Sequence, residues 1–99
     1  MIEVIWTPPA EADLNVIAEY IAAESPAAAA YVVRTIRTAA GALSEFPNRG
    51  RPGRSPDTRE LVIQGVPYLV VYQVLRSGVY IVRVWHQKQR REPKPHLNA

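Results

Sequence analysis

Apolar residues fall along this chain in two rhythms. Ile2, Val4 and Trp6 alternate at period two, the mark of a short strand with one apolar face. Leu14, Ile17, Ala18 and Ile21 then step at i, i+3, i+4 and i+7, which predicts a helix from about 8 to 23. Thr7-Pro8 supplies its start, with a hydroxyl to cap free N–H groups and a proline whose fixed φ suits the first turn. Ser25-Pro26 repeats the signal. Behind it Ala28, Val32, Ile36, Ala39, Leu43 and Phe46 keep helical spacing, so a second helix is predicted from about 26 to 45. So short a link makes the two helices an antiparallel hairpin. Ala27 to Ala30 and Ala39-Ala40 are expected to let the helix backbones approach closely, and Tyr20 and Tyr31 to join the core.

Residues 47–58 hold three prolines, two glycines and three arginines, and are read as a loop without regular structure. Three strands follow, at 59–64, 68–75 and 79–87, separated by Gly65-Val66-Pro67 and by a tight Ser77-Gly78 hairpin. Tyr68 to Tyr72 is apolar on both faces, which places that strand in mid-sheet. Trp6 and Trp85 end strands and are read as core or sheet-edge packing. The predicted order is β-α-α-β-β-β, an α+β fold with a helical hairpin on a small, mostly antiparallel sheet. Residues 1–91 form one domain, and 92–99 a polar tail.

Composition narrows the function classes. Without cysteine there are no disulfides or thiolate sites, and His86 and His96 are too few for a His-rich metal site; no cofactor or metal is expected. No apolar run reaches the roughly 20 residues needed to cross a bilayer, and the N-terminus lacks a secretory pattern, so a cytoplasmic protein without membrane attachment is expected. The net charge of +3 conceals an asymmetry. Residues 1–48 carry two cations against six acids, whereas 49–99 carry ten against three. A basic half of this kind suits an acidic partner. Arg49, Arg51, Arg54, Arg59, Lys88, Arg90 and Arg91 are its candidate binding residues, set against the alternative that they only solvate a loop and a tail. Arg59 and Glu60 could also form an ordinary cross-strand pair.

Several strings, taken in order, resemble the RelE/ParE toxin superfamily, in its ParE-like branch. Ala12-Asp13-Leu14 and Ile17-Ala18-Glu19-Tyr20-Ile21 are similar to the family's first helix, and Ser25-Pro26-Ala27-Ala28-Ala29 to the start of its second. Phe46-Pro47-Asn48-Arg49-Gly50-Arg51 resembles its Pro-rich loop, followed by Thr58-Arg59-Glu60-Leu61, Pro67-Tyr68 through Val71-Tyr72, and Val84-Trp85-His86. The resemblance spans about residues 3–91. It implies a type II toxin, of the kind associated with plasmid stabilisation, neutralised in a hetero-oligomer by an acidic, ParD-like antitoxin. The helical hairpin could wall the groove that receives an antitoxin helix. ParE-like members are associated with inhibition of DNA gyrase, and RelE-like members with ribosome-dependent cleavage of mRNA. A shared fold does not choose between them.

Cleavage by a 2′-OH needs a base, cations for the phosphorane and an acid for the leaving oxygen. The resemblance implies an Arg where Leu69 stands and, in many ribonuclease members, a C-terminal Tyr; no Tyr follows Tyr80. These departures favour a binding inhibitor with no catalytic residue. The alternative is an mRNA endonuclease with His86 as base and Arg59, Arg83 or Lys88 on the phosphate, and only on that reading is direct nucleic-acid binding expected. A lone His at a strand end is otherwise a packed, hydrogen-bonded residue.

Overall fold

The computed structural model describes residues 1–88. The elements are β1 (Val4–Trp6), α1 (Pro8–Ala22), α2 (Pro26–Gly41), a 3-10 turn (Ala42–Ser44), β2 (Arg51–Pro52), β3 (Arg59–Val62), β4 (Tyr68–Leu75) and β5 (Gly78–His86). Both helices begin as their residue types dictate. Thr7 Oγ1 accepts from the Ala10 N–H at 3.4 Å and Ser25 Oγ from the Ala28 N–H at 3.1 Å, each with proline in the first turn. Helix α2 ends sooner than the apolar stripe predicts. It passes through Gly41 into the 3-10 turn, so Leu43 still reaches the core but Phe46 lies beyond it, 53% exposed.

The sheet order is β1-β5-β4-β3-β2. β2 to β5 pair antiparallel in sequence, while β1 runs parallel to β5, with Val4 opposite Val79. The sheet is mostly antiparallel, as expected, with one parallel edge strand. The segment read as a loop without regular structure is not wholly irregular, because Arg51-Pro52 pairs with β3 as a fifth strand. Pro52 is tolerated there because an edge strand can spare an N–H.

The hairpin covers one face of the sheet. Leu14 of α1 and Ile36 and Ala40 of α2 pack with Leu43 on Val70, Tyr72, Val79, Ile81 and Val84, all at or near zero exposure. Tyr68 to Tyr72 are all buried, as the doubly apolar run predicts for mid-sheet. Trp6 is partly buried against the core, beneath the Arg37 guanidinium 4.8 Å above its ring. One expectation on the helices fails, because Tyr20 and Tyr31 are 80% and 50% exposed. Of Ala27 to Ala30 only Ala29 is buried. The alanine run lies where α1 and α2 leave a groove open to solvent.

Strand β5 is irregular where β1 departs. Opposite β4, Arg83 faces Val71 but Ile81 faces Tyr72, so Val82 is an extra, bulged residue. On the other side the Ile81 carbonyl accepts both the backbone N–H (3.1 Å) and the hydroxyl (2.8 Å) of Thr7, where the chain swings into α1.

Candidate functional site

Beyond Thr7, β5 has lost its strand neighbour, and Asp13 of α1 takes that place. Its Oδ2 accepts from the Val84 N–H at 2.9 Å, and its two oxygens take Nε and Nη2 of Arg83 at 2.7 and 3.0 Å. The carboxylate thus caps an unpaired strand edge and holds a guanidinium in bidentate geometry. The hydrogen bond to Asp13 raises the Arg83 pKa, against an opposing effect of burial.

Between α1 and the end of β5 lies a cleft of about 360 Å³, lined by Asp13, Val16, Ile17, Tyr20, Tyr68, Arg83, Val84, Trp85 and His86. His86 lies opposite Tyr68 in the β4–β5 ladder, and the rings meet edge to face with centroids 5.2 Å apart. Its Nδ1 accepts the Lys88 N–H at 3.0 Å. Burial, with Tyr20 nearby, lifts the Tyr68 pKa above that of a free phenol.

A second cluster sits at the other end of β4. The Tyr72 hydroxyl donates to the Pro47 carbonyl and accepts the Gly50 N–H, both at 2.8 Å, from a side chain with no exposure. Burial raises its pKa; the Gly50 hydrogen bond and the charges of Arg59 and Arg49 oppose the shift. Arg59, opposite Tyr72 on β3, points Nη1 at the carbonyls of Gly50 (2.6 Å) and Asn48 (3.3 Å). Gly50 is required, since a Cβ there would stand 2.7 Å from the Tyr72 hydroxyl and 2.8 Å from the Glu60 carbonyl oxygen. Glu60, 4% exposed, accepts Arg51 Nη2 at 3.2 Å and the Arg54 N–H at 3.4 Å. The cross-strand pair anticipated here is therefore Arg51–Glu60, with Arg59 turned to the loop. Arg49 stacks over Phe46 at 5.1 Å.

The third feature is an apolar groove of about 630 Å³ between the outer faces of α1 and α2, floored by Ala18, Ala22, Ala29, Ala30 and Val33, with Glu19 and Arg34 at its banks.

The structure divides the residues nominated from sequence. Arg83 and His86 share the α1–β5 cleft with Asp13, Tyr20 and Tyr68. Lys88 contributes its backbone to His86. Arg59 is elsewhere: its partner Tyr72 lies four residues along β4 from Tyr68, the partner of His86, or roughly 13 Å. Arg49, Arg51, Arg54 and Arg59 gather around the 46–54 loop, and Arg90 and Arg91 lie outside the described residues. Asp13 and Tyr72 escaped the sequence reading. One looks like a solvated helix acid and the other like part of an apolar run. Among the described residues no three His, Cys, Asp or Glu side chains gather to hold a metal, and no helix is long and apolar enough to cross a membrane.

Residues 4–91 match the family described as the ParE toxin of the type II toxin–antitoxin system parDE. The chain belongs to the ParE toxin family. Among its relatives, Y4kP of Sinorhizobium fredii is 46% identical over 85 residues, covering 86% of this chain and 88% of that one. Toxin RelE2 of Caulobacter vibrioides is 43% identical over 86 residues, covering 87% and 96%. Among solved structures, a chain of the chromosomal ParDE system from P. aeruginosa superposes with a TM-score of 0.79 at 28% identity, over 87% of this chain and 96% of that one. The ParE family thus has here two helices on a five-stranded mixed sheet, the fold of a type II toxin.

Proposed function

We propose that this ParE-family toxin acts by binding DNA gyrase, without chemistry of its own, and is held inactive by an acidic, ParD-like antitoxin in a toxin–antitoxin hetero-oligomer. One observation carries the non-catalytic reading. Two of the cations that would have to meet a scissile phosphate are committed to the fold: Arg83 to Asp13, and Arg59 to the carbonyls of Asn48 and Gly50. The family match and the ParDE neighbour support the same branch. Gyrase itself enters through the family resemblance. For the antitoxin, the hairpin groove offers an apolar seat for a helix, and the basic half of the chain suits acidic flanks.

A ribonuclease reading draws on two things, the RelE names of the Caulobacter relatives and the meeting of His86, Tyr68 and Tyr20 in one cleft. The deciding experiment pulse-labels DNA and protein synthesis in the first minutes after inducing the chain alone in bacteria. Gyrase inhibition stops DNA synthesis first. Early loss of translation, abolished by His86→Ala, would overturn the proposal in favour of mRNA cleavage.

A further inference from the structure

The turn after α2 lies outside both the hairpin groove and the His86 cleft. We propose that the turn Phe46–Arg49 is a preformed knob with which the toxin grips its target, and that it fits an acidic surface on a folded protein. The inference rests on the reading of the chain as a toxin that binds a protein target.

The knob is fixed from behind. The Arg49 N–H closes the turn on the Phe46 carbonyl at 3.1 Å. Carbonyls of Pro47, Asn48 and Gly50 all point inward, to Tyr72 and Arg59. A loop whose carbonyls are held by the buried Tyr72 and the partly buried Arg59 loses little freedom on binding, which favours affinity from a small contact. Phe46, Asn48 and Arg49 are left exposed, and Arg49 makes no ion pair among the described residues. An exposed aromatic beside an arginine is the composition of an interface anchor.

The surroundings extend the surface. Asn48 is shared between the knob and an adjoining cleft of about 550 Å³, whose other walls include Arg59, Val74 and Leu75. Val74 and Leu75 are 37% and 48% exposed, so three of the large exposed apolar side chains lie at this end. Arg76 follows them, also without an ion pair among the described residues, whereas Asp57 is the acid lining the cleft. An apolar and basic surface asks for an acidic one that can take an aromatic ring. An extended antitoxin segment would seek a groove, and the molecule offers one on the hairpin. The Arg49 guanidinium already covers a face of the Phe46 ring, which argues against stacking of a nucleic-acid base there.

The test compares growth arrest by the full chain, induced without antitoxin, with that of the double variant Phe46→Ala/Arg49→Glu. Asn15→Glu, at an exposed helix position that lines neither the hairpin groove nor the His86 cleft, serves as a charge control. Loss of two anchors is expected to weaken target binding by about a hundredfold or more. The double variant should then fail to arrest growth, with an unchanged circular dichroism melt, while Asn15→Glu remains toxic. A folded double variant as toxic as the wild type overturns the knob. If the double variant does not fold, Phe46→Ala alone and the conservative Arg49→Lys replace it, the first losing toxicity and the second keeping it. Wild-type chain that arrests no growth sinks the toxin reading and the knob with it. Binding of a fluorescent single-stranded RNA to the wild type but not to the double variant would assign the knob to nucleic acid and overturn the protein partner.

Discussion

Tyr72 shows how much one side chain can carry without signalling it. In the sequence it belongs to the apolar run that placed β4 in mid-sheet, and nothing there marks its hydroxyl as the post to which residues 47–50 are tied. Removing that hydroxyl leaves the buried Gly50 N–H and the Pro47 carbonyl without their partner. Tyr72→Phe is expected to cost about 1–3 kcal/mol, read as a lower midpoint in urea. The hydroxyl also sets an alkaline limit. Its pKa in the folded protein lies above the ordinary 10.0, so the native state holds the proton more tightly than the unfolded chain. Its contribution is complete below pH 10 and declines as pH rises through the folded value. Tyr72→Phe should therefore show a shallower loss of stability above that pH, despite starting lower. Gly50→Ala should damage the same tie from the other side. Its Cβ meets a backbone carbonyl that cannot retreat, and about 1–3 kcal/mol of strain is expected in thermal melts.

At the level of elements, legibility followed the range of the interaction. Both helices were readable because caps, prolines and apolar spacing act within a few residues. The β4–β5 hairpin was readable from Ser77-Gly78. At Gly78 a Cβ would come within 2.8 Å of the Glu3 carbonyl oxygen, so the glycine serves the neighbouring N-terminal segment too. Strand β2 was not readable, because two residues flanked by Gly50 and Gly53 carry no period. The stripe ran on to Phe46 because spacing cannot register that a helix has already ended. Asp13 was invisible as a structural residue because its partners lie 70 and 71 residues away. Its role predicts a local signature. Asp13→Ala should speed amide hydrogen exchange at Val84 and cost about 1–3 kcal/mol, while Asp13→Asn, which still presents an acceptor, should lose less. The exposed Arg37–Glu11 bridge is a different case, and breaking it should cost no more than about 1 kcal/mol.

Across the whole molecule the charges are arranged by half, and the sequence read this asymmetry directly. What it could not read was which cations were spent. Arg51 and Arg83 are bound to acids of the chain itself, and Arg37 of the acidic half is bound as well, whereas Arg49 and Arg76 make no such pair among the described residues. An acidic antitoxin should therefore bind with strong salt dependence. Raising ionic strength from about 0.05 to 0.5 M is expected to weaken the complex by about tenfold or more, measured by titration calorimetry. A complex indifferent to salt would mean that the apolar groove alone recognises the antitoxin. The parallel pairing of β1 with β5 has a consequence of another kind. Val4 finds its partner only at Val79, and α1 is latched by Arg83, so the first strand and first helix wait on the last strand. Contacts this distant along the chain delay completion of the sheet until nearly all of it has left the ribosome. Whatever surface the folded domain offers a partner therefore forms only after the strand that locks its first elements has emerged.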